Sequence, residues 1–185
     1  MWRCVLHSLV AREVIDMNYY GAIELANSWR TVRKNTLQAA EDIPEDKYSF
    51  RAAAETMSVA ELLAHLASAP HWARQCHFVE KKTVVTNGDF GKWMQEIGKS
   101  SSELTTKSAI IEALKNNGEQ FATGLEAMTD TQLGQRVTLP VGDKTRFEML
   151  LGVKEHEMHH RAQLFLIERM VGIVPHLTRA RQASQ

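Results

Sequence analysis

The chain has 185 residues, of which 44% are hydrophobic and 24% charged, and this length supports one domain with a sizeable core. Basic and acidic residues each total 22, so the formal net charge is zero, which argues against a dedicated nucleic-acid-binding protein. Two cysteines, Cys4 and Cys76, cannot build a disulfide framework or a CxxC metal site. No apolar run approaches the roughly 18–20 residues of a membrane span. We therefore expect neither nucleic acid nor a membrane as a partner.

The first residues, 1–16, combine Arg3 with a short apolar stretch that His7 and Ser8 interrupt, and no clear small-residue cleavage site follows. This pattern disfavours a signal peptide. Two interpretations stay open: a short amphipathic helix, or an N-terminal extension upstream of a natural start at Met17.

Two long helices are predicted next, over residues 17–43 and from Ser58 to about residue 80. The inward stripe of the first has spacings of three and four residues: Leu25, Trp29, Val32, Thr36, Ala39 and Ile43. Ser58 and Glu61 form a capping box at the start of the second helix, and Pro70 predicts a bend or break within it. The second inward stripe is Leu62, His65, Ala69, Trp72 and Cys76.

Residues 83–106 are rich in turn-forming residues, with a short helix expected only around Trp93. A third helix fits residues 107–128, with an inward stripe of Ile110, Leu114, Asn117, Phe121 and Leu125. Residues 129–144 are predicted to be a connector, in which the apolar residues 137–139 are too few to build a sheet.

The fourth helix has the clearest boundaries, because Thr145 and Glu148 form a second capping box and Gly172 followed by Pro175 marks a stop. Its predicted inward stripe is Met149, Val153, His156, His160, Gln163, Ile167 and Met170. Good helix formers recur throughout the chain, so the sequence predicts an all-α fold, a four-helix bundle.

Three of the eight histidines lie on stripes that should be apolar. His156 and His160 are four residues apart, one turn along the same helix face, which lets two imidazoles bind one metal ion. His65 lies on the inward stripe of the second helix, and two facing helices can bring the three rings together. A buried imidazole without a partner costs roughly 1–3 kcal/mol, and a divalent cation would satisfy all three. The alternative is that each histidine only bonds to a neighbouring helix or lines a wet pocket.

Three histidine ligands leave a coordination position open, which is typical of catalytic and not structural metal sites. An open divalent ion lowers the pKa of bound water or of a bound thiol, or polarises a carbonyl. No fourth protein ligand is evident. Cys76 is about 16 Å along the helix from His65 and is expected to be a buried small hydrophobe.

Residues 156–160 also match the zinc-protease motif H-E-x-x-H, in which Glu157 would be the general base. We disfavour this interpretation, because position 166 is Leu where the extended motif needs a third histidine, and no convincing sheet is predicted. Glu157 is expected to be a solvated carboxylate on the helix surface. His159 is expected to support the ligands or line a pocket, and Glu61, one turn before His65, could support it in the same way.

The segments AELLAHLA and KEHEMHHRAQL resemble the motifs of the DinB/YfiT-like superfamily, whose last-helix pattern begins with H-E and ends with H-H-R-G-Q. Ala162 stands where glycine is usual. The resemblance covers residues 17–178, leaves 179–185 as a polar tail, and the phrase MNYYGAIELA supports a start at Met17. It implies a four-helix bundle with long crossover connections.

The resemblance also implies a divalent metal ion, nickel or zinc, held by His65, His156 and His160. Relatives of this family include transferases and isomerases that use low-molecular-weight thiols as cosubstrates, many members have no known activity, and dimers are common. The expectation is therefore a cytoplasmic, homodimeric metalloenzyme acting on a small molecule, with thiol-dependent group transfer favoured and metal-dependent hydrolysis as a minor alternative. The competing hypothesis is a non-catalytic metal-binding or dimerisation protein.

No catalytic residue is assigned. Tyr19, Tyr20 and Trp93 are candidates for the pocket mouth, with ordinary packing as the alternative for each.

Overall fold

The computed structural model describes residues 20–184, so the interpretations of residues 1–16, Met17 and Tyr19 lie outside the described residues. The long elements of the fold are α1 (Ala22–Asp42), α2 (Val59–Ser68), α4 (Asn87–Glu103), α5 (Lys107–Glu126) and α7 (Arg146–Met170). The short ones are a 3-10 turn (Glu45–Lys47), α3 (His71–Ala73), a π-helical segment (Arg74–Val79), α6 (Asp130–Gly134), β1 (Arg136–Val137), β2 (Lys144–Thr145) and α8 (His176–Ala183).

The helices α1, α2, α5 and α7 form a four-helix bundle, as the sequence predicts. Both α1 and α2 pack against α5 and α7. Helices α1 and α2 therefore lie opposite each other across the core, as do α5 and α7, and a long connection joins the two helices of each pair. The predicted inward stripe of α1 is confirmed, because all six of its residues are buried. At the centre of this helix, the Trp29 indole N–H donates to the carbonyl of Gly118 on α5 over 2.8 Å.

The helix boundaries follow from local sequence. The capping boxes at Ser58 and Thr145 are both present, and each hydroxyl accepts a hydrogen bond from the amide three residues on. The helical path breaks at Pro70, since α2 ends at Ser68 and α3 begins at His71. Gly172 adopts a φ of +84° after α7, a left-handed conformation that glycine favours at helix ends.

The segment 83–106, expected to contain only a short helix, instead contains the 17-residue helix α4. Its start is a capping box of Thr86 and Asp89 that the sequence interpretation missed. Trp93 and Ile97 are buried at helical spacing, while a side chain at Gly91 or Gly98 would meet open space. The glycines that suggested turns thus lie where the helix needs no side chain. α4 packs against α2, on the side of the cavity described below.

The connector 129–144 contains α6 and a minimal antiparallel pair of strands, with Arg136 opposite Thr145 and Val137 opposite Lys144. At the C-terminal end, α8 continues to Ala183, and Arg179 forms an ion pair of 2.6 Å with Asp42 of α1. Within residues 20–184, no helix combines the length and the apolar character that crossing a membrane requires.

The predicted inward stripe of α7 is wrong in part. Met149, Val153 and Ile167 are buried, but Gln163 lies on an exposed part of the helix and Met170 is 49% exposed. The buried face is rotated towards Glu157 and Glu168, which are 1% and 0% exposed. The helix therefore buries two carboxylates, which a search for apolar periodicity cannot recognise.

Candidate metal centre

The three histidines singled out by the sequence come together between α2 and α7. His65 lies in the second half of α2, and His156 and His160 lie one turn apart on the face of α7 that packs against it. The capping boxes fix where both helices start, so they also fix which residues of each helix reach the contact. All three side chains are partly buried.

The ring nitrogens of these histidines converge on a small volume. Nε2 of His65 is 3.0 Å from Nε2 of His156, and the ring centroids of the three residues are 4.6–5.0 Å apart. One nitrogen from each ring lies within 4.8 Å of the other two, and within residues 20–184 no other set of His, Cys, Asp or Glu side chains meets this spacing. Coordinating nitrogens of a tetrahedral zinc ion are about 3.3 Å apart, a value inside this range. The geometry and the donor set therefore fit a divalent metal ion.

The electrostatic surroundings favour the neutral imidazoles that metal binding requires. Burial lowers the pKa of His65, and the neighbouring His160 lowers it further. Burial also lowers the pKa of His156 to about 4, with additional contributions from His160, His65 and His159. Both rings are thus uncharged at neutral pH.

Gln163 orients one ring of the cluster, a role that the sequence interpretation did not assign. Its Oε1 lies 2.8 Å from Nδ1 of His160. A carbonyl oxygen only accepts, so His160 donates its Nδ1–H and keeps its Nε2 lone pair free. His159 lies on the exposed side, where its Nε2 is 3.4 Å from Nε2 of Gln163. The last glutamine of the family motif was the available signal for this contact.

A cavity of about 450 Å³ adjoins the cluster, and His65 and His156 form part of its wall. Most of the remaining wall is apolar: Trp72, Phe90, Met94, Ile97, Leu139 and Met149. Lys144 and Glu148 are its charged wall residues. Predominantly apolar walls with few polar groups are typical of small-molecule sites. The sequence interpretation missed the contribution of the β1–β2 connection, and from the segment that forms α4 it proposed only Trp93.

Glu157 is not the solvated surface carboxylate that we expected. It is 1% exposed, and its Oε2 forms an ion pair of 2.7 Å with Nη2 of Arg33 on α1. Burial raises the pKa of this carboxyl, and Arg33 opposes that rise. The residue follows His156 but points to a different side of the helix, because each residue turns the helix by about 100°. The position leaves Glu157 unable to act as the general base of a zinc protease.

Two other candidate residues have structural explanations. Both oxygens of Glu61 are engaged, one by Arg51 at 2.6 Å and the other by the Ser58 amide at 2.8 Å, so Glu61 does not support His65. Cys76 is fully buried, and burial raises the pKa of its thiol to about 11. The expectation of a buried small side chain is confirmed for Cys76.

The aromatic candidates for the pocket mouth do not line the cavity. Trp93 is fully buried, and its indole N–H donates to Glu80 over 3.2 Å. Tyr20 packs edge-on against Phe147 with ring centroids 6.1 Å apart. Ordinary packing therefore explains both residues, and α4 lines the cavity with neighbours of Trp93 instead.

A helical bundle with three imidazoles converging between two of its helices, beside an apolar cavity, defines a class of protein with a candidate metal centre inside the bundle. The chain belongs to the DinB superfamily, whose model matches residues 28–164. The uncharacterized protein YjoA of Bacillus subtilis (strain 168) is 26% identical over 152 residues, which cover 80% of this chain and 90% of YjoA.

Three solved structures share the fold. The crystal structure of YjoA, a DinB-like protein, matches with a TM-score of 0.63 and 23% identity over 80% of this chain and 92% of that one. YfiT from Bacillus subtilis, described as a probable metal-dependent hydrolase with an unusual four-helix bundle topology, matches with a TM-score of 0.64 and 18% identity, covering 88% and 93%. The mycothiol-dependent maleylpyruvate isomerase matches with a TM-score of 0.58 and 12% identity, covering 78% of this chain and 61% of the isomerase.

Proposed function

We propose that this protein binds one divalent metal ion through His65, His156 and His160 and acts as a metal-dependent enzyme on a small organic molecule. The observation that carries the proposal is the double role of His65 and His156, which belong both to the triad and to the cavity wall. A molecule in the cavity would contact the imidazole cluster directly. A purely structural metal site would instead be closed by protein.

Held by three neutral imidazoles, a divalent ion would keep its full charge and an open position, and it would supply Lewis acidity and favour the deprotonated form of a bound water or thiol. The protein's own groups do the rest. Gln163 holds the orientation of His160, and the apolar walls exclude water and bind the carbon skeleton of the substrate. Lys144 and Glu148, the charged residues of the cavity wall, provide polar contacts to the substrate.

Thiol-dependent group transfer to an electrophile is our first candidate reaction, and hydrolysis is the second. The mycothiol-dependent maleylpyruvate isomerase supports the first through a shared fold, and YfiT supports the second in the same way. The cavity argues against the non-catalytic alternative, since a binding or dimerisation role does not need a 450 Å³ apolar chamber beside the histidines.

The test combines spectroscopy with turnover on the cobalt-substituted protein. Addition of a low-molecular-weight thiol should produce a new sulfur-to-metal band, and the wild type should conjugate a model electrophile to the thiol faster than His160→Ala. If thiols leave the spectrum unchanged while ester substrates are hydrolysed with the same dependence on His160, hydrolysis replaces thiol transfer. If neither reaction depends on His160, the enzymatic proposal fails.

A pair of glycine variants tests whether the cavity holds the substrate. A side chain at Gly152, which lines the cavity, would project into open space, and so would one at Gly98 on the exposed side of α4. We expect Gly152→Leu to reduce turnover at least ten-fold with metal binding retained. Gly98→Leu, the control, should leave both unchanged.

Three finer expectations stay predictions: nickel or zinc as the ion, a homodimer, and a cytoplasmic location. Metal analysis of protein purified from its native source without a metal-affinity column tests the first. Analytical ultracentrifugation tests the second, and imaging of a tagged protein in its native cells tests the third.

A further inference from the structure

One buried guanidinium on α1 bonds to the other three helices of the bundle, beside the histidine cluster. Arg33 of α1 is 3% exposed and donates from Nη2 to the carbonyl of Leu66 on α2 over 3.1 Å. The same nitrogen forms the 2.7 Å ion pair with Glu157 on α7, and Nη1 donates to the carbonyl of Leu114 on α5 over 3.4 Å.

Two of these partners directly follow triad histidines in the chain. Leu66 follows His65, and Glu157 follows His156. Arg33 thus links α2 and α7 within the buried core. Its two contacts are made at the residues next to His65 and His156, whose imidazoles meet on the cavity side. We propose that Arg33 is a positioning residue for the metal centre, which fixes the relative register of α2 and α7. This inference rests on the proposed function.

Stability alone does not explain the Arg33–Glu157 pair. Replacing a buried ion pair with apolar residues of similar volume is often neutral or stabilising, because desolvation cancels the attraction. The pair is also incompletely satisfied, since Nε of Arg33 has no hydrogen-bond partner among residues 20–184. The planar guanidinium, which contacts both α2 and α7, instead fixes the relative position of these two helices.

The surrounding core holds the Arg33 side chain in one path. Its Cζ lies 4.9 Å from the centre of the Trp29 ring. A Cβ at Gly118 would come within 2.8 Å of Arg33 Cγ, so only glycine at that position leaves the present path open. Displacing this side chain without removing its charge is therefore possible through Gly118.

Titration of the metal-free protein with Co²⁺ tests the inference. The double variant R33M/E157L removes both charges and keeps similar volume, so we expect it to fold cooperatively. It should bind Co²⁺ at least ten-fold more weakly than the wild type and change the visible cobalt spectrum, which reports ligand geometry. Gly118→Ala, which displaces Arg33 and adds a better helix former, should also weaken binding. This second variant keeps the test decisive if the double variant does not fold.

Leu125→Ala is the control for a general loss of stability. Leu125 is buried on α5 about 16 Å along the helix from Leu114. This variant should unfold more easily yet bind Co²⁺ with wild-type affinity and spectrum. Unchanged affinity and spectrum in both R33M/E157L and Gly118→Ala overturn the positioning role while leaving the proposed function intact. If the wild type itself fails to bind Co²⁺, or binds it independently of His160, the proposed function fails and the positioning role with it.

Discussion

Two faces of helix α7 carry ionisable side chains, and they differ in how deeply these side chains are buried. The face towards α2 holds His156 and His160, partly buried and beside a cavity. The face towards α1 and α8 holds Glu157 and Glu168, which are 1% and 0% exposed. His156 and Glu157 are consecutive, so a rotation of about 100° separates a site that ligands can reach from a core that they cannot. The motif H-E-x-x-H therefore does not by itself place its glutamate at a metal.

The two carboxylates on the buried face of α7, Glu157 and Glu168, differ in their partners. Glu157 has Arg33 as an ion-pair partner, whereas neither carboxyl oxygen of Glu168 has a hydrogen-bond partner among residues 20–184. Burial, with a smaller contribution from Asp42, raises the pKa of Glu168 to about 7. Glu157 therefore has a cationic partner, whereas Glu168 keeps its proton to a higher pH than an exposed glutamate does.

The largest expected effect comes from breaking the buried pair on one side only. Glu157→Leu leaves the guanidinium of Arg33 charged and unpaired in the core, and this should cost about 3–5 kcal/mol of unfolding free energy in urea titrations. Adding Arg33→Met should restore most of that loss. Lys115→Ala, which breaks a solvent-exposed pair with Glu41, is the control and should change little. If all three variants lost a similarly small amount of unfolding free energy, the Arg33–Glu157 pair would not be buried away from water.

A smaller effect is expected in the pH dependence of stability. Because the folded pKa of Glu168 is raised above its unfolded value, the folded state binds the proton more tightly, and stability falls as pH rises from about 5 to 8. Glu168→Gln should remove this contribution, on the order of 2 kcal/mol, since one pKa unit corresponds to about 1.4 kcal/mol. Urea titrations at pH 5 and pH 8 measure it. Glu155→Gln, on the exposed side of α7, should keep the wild-type profile, and a Glu168→Gln protein that does so too would refute the assignment.

The smallest effect concerns the ligand face. Gln163→Leu removes the acceptor of the His160 Nδ1–H bond, and we expect metal affinity to fall about ten-fold, or about 1.4 kcal/mol. Isothermal titration with Zn²⁺ measures the change. His159→Ala, which alters the exposed neighbour of the same glutamine, should stay within about two-fold of the wild type. If His159→Ala weakens binding more than Gln163→Leu, Gln163 does not orient the cluster.

Sequence patterns recovered the bundle because its local signals are strong. The capping boxes at Ser58 and Thr145, the break at Pro70 and the apolar stripe of α1 each have a mechanism that acts within a few residues. The convergence of His65 with His156 and His160 was predictable for the same reason, since polar residues interrupted two otherwise apolar stripes.

The features that sequence patterns did not predict depend on contacts between residues far apart in the chain. Glu157 looks like a surface residue until Arg33, more than a hundred residues earlier, is placed opposite it. The cavity depends on α4, whose glycines suggested turns because nothing local shows that they lie on an open face. For Tyr20 and Trp93 the sequence leaves two roles open, the pocket mouth and ordinary packing, and their contacts support packing.

The proposed divalent ion is held by His65, His156 and His160 and not by their neighbours. Native mass spectrometry of the metal-free chain titrated with Zn²⁺ tests it most directly. We expect one ion per chain, lost in His65→Ala, His156→Ala and His160→Ala and retained in His159→Ala. A site emptied by His159→Ala but not by His160→Ala would contradict it.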